Sequence, residues 1–101
     1  MNNQRRKAIE KLKKSLEEEQ EAVSNIVARV EDIKNELEAL KDEEQEAFDN
    51  MPESLQQGDK GQAAETAIGA LDSALEHLSM VDDWTSNLDD ALAFMDEAVN
   101  A

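Results

Sequence analysis

The side chains that could do chemistry in this chain are few, and their spacing does not favour it. His77 is the only histidine, and there is no cysteine and no tyrosine. A nucleophile with its base, or a zinc site, needs at least one more such group within reach. His77 is therefore expected to be a solvated helix residue. Two carboxylates, Glu19 and Glu44, interrupt an otherwise apolar repeat. Inward carboxylates on a helical bundle can hold a di-iron centre, but such centres also need Glu-x-x-His pairs on facing helices, and the sequence has none. A polar group in such a seam more commonly fixes register or partner choice. Calcium is no better served. Neither DNMPESLQQGDK nor DDWTSNLDDALA supplies the alternating ligands, central glycine and closing glutamate of an EF-hand loop. The expectation is a protein with no enzymatic activity, no metal and no cofactor; a metal-dependent enzyme around Glu19 or Glu44 is the remotest alternative.

One charged pattern stands out. Asp82–Asp83, Asp89–Asp90 and Asp96–Glu97 recur every seven residues, with Glu76 one heptad before Asp83. On a helix this sets paired carboxylates along one face every ~10.5 Å. Such a ladder can imitate a nucleic-acid backbone and occupy a basic groove. It can equally be the solvated outside of a coiled coil, although such faces usually mix signs, and here no lysine or arginine follows Lys60. Trp84, the only tryptophan, sits among these acids. It is expected in the core at a seam position, or else as an apolar anchor for a partner.

Composition limits what can position these groups. Charged residues make up 35 % of the 101-residue chain and aromatics 3 %, so little material exists for a compact globular core. A net charge of −15 repels nucleic acid and anionic lipid and favours basic protein surfaces. The basic residues gather at the start, where Arg5, Arg6, Lys7, Lys11, Lys13 and Lys14 face only Glu10. That start is amphipathic and lacks the apolar run of a signal peptide, and no stretch is apolar enough to span a membrane. A cytoplasmic protein is expected.

Periodicity supplies the elements. With Ile9 as position a, the a series is Ile9, Leu16, Val23, Val30, Leu37, Glu44 and Met51. The d series is Leu12, Glu19, Ile26, Ile33, Leu40 and Ala47. Apolar residues hold all but two of these positions, a strong coiled-coil signal. A helix over about 4–50, roughly 70 Å long at ~1.5 Å per residue, is predicted. Pro52 closes it, and Gly58 and Gly61 mark a hinge over about 51–61, where Leu55 is expected to tuck against the helix ends. A second helix over about 62–99 carries Ala64, Ile68, Leu71, Leu75 and Leu78. Its phase then slips by one residue into Val81, Trp84, Leu88, Ala91, Met95 and Ala98, as in a stammer. A continuous helix through the slip is preferred to a break near 79–83, where Ser79 and Asp82 could form a capping box.

The fold expected is therefore all-α: a long antiparallel helical hairpin, a coiled coil in which the basic start lies beside Asp89, Asp90, Asp96 and Glu97. A second apolar face through Ala63, Ala67, Ala70, Ala74, Phe94 and Val99 is wider than one seam requires. It suggests a homodimer forming a four-helix bundle.

Residues 43–78, with the D-N-M-P-E-S-L-Q hinge, the following glycine and a helix of repeated alanine, leucine and acids, resemble a group of small acidic helical proteins of bacteriophages and prophages. The resemblance implies a phage setting, within a host cell, and no catalytic residues. The functional expectation is a non-enzymatic interaction protein that binds and blocks a basic surface of a host protein, such as a nucleic-acid enzyme, by nucleic-acid mimicry. It would not itself bind nucleic acid or membrane. Asp82, Asp83, Asp89, Asp90, Asp96 and Glu97 would supply the charge and Trp84 the anchor. The alternative is a structural or assembly coiled coil acting through oligomerisation.

Overall fold

Polar capping starts the first helix and a proline ends it. In the computed structural model, which describes residues 1–101, the side-chain oxygen of Asn2 accepts the amide of Arg5 at 2.8 Å, satisfying one of the free donors of the first turn. Helix α1 then runs unbroken through Asn3–Asp49. It stops three residues before Pro52, with a tight turn from the Met51 amide to the Phe48 carbonyl. The short α2 spans Glu53–Gln56, α3 spans Asp59–Ser79 and α4 spans Val81–Val99. The chain is all-α, 90 % helical, with no strand. No helix is long and apolar enough to cross a membrane.

The chain divides into two units. The hinge unit, Val30–Ser79, contains the end of α1, α2 and α3. Its helices run antiparallel: Lys41 of α1 pairs with Asp72 of α3, and nearer the turn Gln56 donates to the carbonyl of Phe48 at 2.9 Å. That bond gives the Phe48 carbonyl, at the end of α1, a second donor beside the Met51 amide. Gly61 and Ala64, on the first turns of α3, are the chain's only buried residues. Gly61 lies so close to the backbone of Gln56 that a methyl group there would overlap its carbonyl. Leu55, expected to tuck inward, is instead exposed. The contact it was to make is made by Gln56 beside it.

The terminal unit, Met1–Arg29 with Met80–Ala101, pairs the start of α1 with α4. Its order is antiparallel as well. Arg6 donates to the carbonyl of Ala101 at 2.9 Å, Lys13 pairs with Asp96 at 2.8 Å, and Gln20 bonds Asp89.

Between Ser79 and Val81 the helix breaks at Met80, contrary to the preference for a continuous helix. The buried and half-buried residues show why. They step 3, 4, 3, 4, 3 from Gly61 to Leu78, then take a second three-residue step to Val81 before alternation resumes. A regular helix cannot keep both stretches on one face through such a step, and the chain takes up the difference in a turn, in which the Asp83 amide bonds the Met80 carbonyl at 3.1 Å. No capping box forms: Ser79 bonds back to the carbonyl of Leu75, and α4 has no side-chain cap.

Candidate functional site

The seam between the paired helices is not the one the a and d series describe. On α1 the half-buried residues are Ile9, Leu16, Val23, Val30, Leu37 and Glu44 at position a, continued by Met51 just past the helix, together with Arg6, Lys13, Gln20, Val27, Lys34, Lys41 and Phe48 at position e, and Gln45 beside Glu44. The d residues Leu12, Ile26, Ile33 and Leu40 are exposed, Leu12 to 62 %. The a and e positions alternate by three and four residues as a and d do, so either pair can form a seam. What recruits e is its polar members. Their long stems lie along the contact while their heads reach aspartates on the facing helix: Lys13 to Asp96, Gln20 to Asp89 and Lys41 to Asp72. The carboxylates hold the Lys13 and Lys41 ammonium groups above the ordinary lysine value of 10.5, chiefly through these hydrogen bonds, with burial opposing them. The seven-residue spacing of Lys13, Gln20, Lys34 and Lys41 was the available sequence signal.

At 100° per residue, the heptad positions run around a helix in the order a, e, b, f, c, g, d. A seam centred between a and e leaves b on one flank and d, then g, on the other. In α4, with Val81 as a, the b positions are Asp82, Asp89 and Asp96, and the c positions are Asp83, Asp90 and Glu97. Trp84, Ala91 and Ala98 are at d, and Phe94 is at g. The acidic ladder therefore has two columns with different fates. The inner column, at b, turns towards α1, where Asp89 and Asp96 are bonded within the chain. The outer column of Asp83, Asp90 and Glu97 is exposed and enters none of the chain's ion pairs. The start of α1 does lie beside Asp89 and Asp96, but not through Asp90 or Glu97.

Trp84 is not in the seam. It is 64 % exposed: the α4 seam runs through Val81, Thr85, Leu88, Leu92, Met95 and Val99, and of the neighbouring d column only the small Ala91 and Ala98 are half-buried. Val99, assigned to the second apolar face by spacing, belongs to this seam, and Phe94 on the open flank is 70 % exposed. In α3, with Ala64 as a, the open d and g positions hold Ala67, Ala74, Ala63 and Ala70, all exposed, and the space over Gly69 is empty. Because α3 and α4 each run antiparallel to α1, the d flanks of the two helices in a pair fall on the same side. Each unit thus has an apolar flank, with the acidic b flank on its opposite side.

Of the residues considered for chemistry, Glu44 is half-buried in the hinge unit's seam. Glu19 is exposed on the apolar flank of the terminal unit. His77 is exposed, and its Nδ1 donates to the Ser73 carbonyl at 2.8 Å. No three of the chain's His, Asp and Glu side chains converge as metal ligands would, and no pocket opens in either unit. What each unit does present is an apolar flank, and the terminal unit adds a column of free carboxylates.

No protein-family model matches the chain, and neither a curated protein nor a solved structure is significantly similar to it.

Proposed function

We propose that this is a non-catalytic assembly protein, a coiled coil that works by associating with other helices through its apolar flank. One observation carries this reading. Leu12, Ile26, Ile33, Leu40, Trp84 and Phe94, all exposed large apolar residues of the long helices, occupy only d and g positions. Scattered exposed leucines are ordinary, but large apolar side chains confined to one flank of each unit mark association surfaces. The test is sedimentation of the intact chain across concentrations, beside the Ile26→Glu and Leu40→Glu variants. Trp84, as the only tryptophan, reports burial by its emission. Association with a blue-shifted Trp84, lost in both variants while helicity remains, is the expected result. A monomer with solvent-exposed Trp84 emission at every concentration refutes it.

A second reading is supported by the outer carboxylate column. Asp83, Asp90 and Glu97 repeat at heptad spacing with no basic side chain on their helix. Such a face suits a basic surface on a partner protein, and in the phage setting that the hinge implies the partner would be a host nucleic-acid enzyme. The inner aspartates contribute less to this face, since Lys13 and Gln20 already occupy two of them. Reversing Asp83, Asp90 and Glu97 to lysine should abolish capture of such a partner from host lysate, and added salt should weaken capture steeply. Capture that survives both changes refutes the mimic.

A further inference from the structure

Within the terminal unit, the apolar flank of α1 is interrupted by two charges of opposite sign that have no partner. Between residues 19 and 29 its d and g positions hold Glu19, Ala22, Ile26 and Arg29. All four are exposed, and neither Glu19 nor Arg29 enters an ion pair. The two cannot meet along the helix, since a separation of ten residues at ~1.5 Å each holds them about 15 Å apart. Helix α4 forms the other half of this flank. The Gln20–Asp89 rung, carried on by one heptad, brings Trp84 level with Ile26. The d and g positions around Trp84 are Met80, Asn87 and Ala91. Met80 and Trp84 stand out from them, 53 % and 64 % exposed. Turned end for end and laid on itself, the α1 stretch sets acid on base and large on small.

We propose that this stretch of the flank is covered by the same stretch of a second copy, terminal unit on terminal unit, about a twofold axis level with Ser24 and Asn25. The proposal rests on the self-association reading above and adds the occupant and the contact. A twofold axis uses each contact twice. Glu19 then meets the partner's Arg29, and Ile26 lies over the partner's Ala22. On α4 the same axis sets Met80 over the partner's Ala91, large on small as close packing requires. Trp84 falls beside the partner's Asn87, whose amide oxygen can accept the indole N–H. Both units carry net negative charge, so overall attraction does not bring the copies together. Apolar burial drives the pairing, and the two flank charges select its direction and register. Laid in the same direction, α1 on α1, the copies would set Glu19 on Glu19 and Arg29 on Arg29, and like charges brought together exclude that alignment. A slip of one heptad either way would put Arg29 over Leu12 or Ile26, with no carboxylate opposite.

A charge swap tests this. Full-length Glu19→Arg, Arg29→Glu and the variant carrying both changes are compared with the intact chain by sedimentation, with circular dichroism to follow helicity. Both positions are exposed and exchange one good helix former for another, so the fold is expected to persist. Each single variant sets like charges together twice per dimer and should weaken association on the order of tenfold. The double variant restores opposite charges across the axis and should recover most of that loss, with Trp84 emission blue-shifted as in the intact dimer. The two positions are too far apart to meet within one chain, so the recovery reports contact between copies. Dimers indifferent to all three changes, or a double variant no stronger than the singles, would overturn the inference and leave self-association standing. An intact chain that is monomeric at every concentration would overturn both.

Discussion

The hinge unit and the terminal unit are built from one repeat and one set of residue types, yet only the hinge unit buries any residue. There Gly61 and Ala64 allow α3 to approach closely, and the turn through Pro52 and α2 supplies its own bonds, with Gln56 closing the end of α1. The terminal unit has no buried residue and leans on polar contacts: Arg6 to the Ala101 carbonyl, Lys13 to Asp96, Gln20 to Asp89. It also carries the only covered polar atoms without a hydrogen-bond partner, Nε of Arg6 and Oγ1 of Thr85. An orphaned buried group of this kind costs ~1–3 kcal/mol, whereas exposed ion pairs return little. Small residues near a turn give tight contact where chain connectivity already holds the helices together. Away from the turn the same repeat is held by longer, more hydrated side chains, and the terminal unit should be the first to open.

The sharpest way to break this comparison is at Gly61. Gly61→Ala forces a methyl group into the Gln56 backbone and should cost ~1–3 kcal/mol, as overpacking does, read as a lower denaturant midpoint. Unchanged stability would mean that the close approach is not what holds the hinge unit. On the other unit, Thr85→Val keeps the side-chain shape and removes the orphaned hydroxyl. A gain of ~1 kcal/mol is expected, and amide exchange should slow in α4 more than in α3. The same chemical change as at Gly61, made at Gly69, should have the opposite sign. Nothing lies within 4 Å of the added methyl group, so Gly69→Ala should raise stability by ~0.5–1 kcal/mol through helix propensity alone.

The smallest effect is that of pH. Lys13 and Lys41 have folded pKa values above 10.5. Their contribution is therefore complete below the unfolded value and is lost as pH rises through the folded one. A slight loss of thermal stability above pH ~10.5 should follow, reduced in Lys13→Met and Lys41→Met. Both lysines pair along the edge of the seam rather than in a closed core, and a large transition there would point to some other group.

The helices, the stop at Pro52 and the antiparallel order of each pair were legible because they rest on strong local signals: an apolar residue every three or four positions, a proline, and segregated charge. The a half of the seam was legible too. The other half was not, since a stripe with residues suited to a, d and e can close on either side of a. Hydrophobicity favours Leu12, Ile26, Ile33 and Leu40, while the structure uses Lys13, Gln20 and Lys41, whose aliphatic stems do not register as apolar in sequence. Trp84 followed from the same ambiguity. Trp84, Ala91 and Ala98 form an apolar column at the edge of the seam, and period alone cannot tell that its two alanines are half-buried while the tryptophan stands out. The slip after Leu78 was visible in the spacing. The Ser79–Asp82 pair marked the right place for a break, but the structure makes the break without that cap, through the turn from the Asp83 amide to the Met80 carbonyl. The carboxylate ladder was legible as a pattern, but its division into two columns required knowing which flank faces α1.

The overlap that excludes a side chain at position 61 gives the hinge unit a fixed origin. Beyond that point α1 and α3 are paired layers of one repeat, each layer nearly equivalent to the next. Seven residues could be excised from α1 and the facing seven from α3, and the remaining rungs would meet as before. Removing seven from one helix alone would leave every rung beyond the cut facing the wrong partner. The length of this unit is thus free to change only in matched increments, as a ladder shortens by whole rungs cut from both rails.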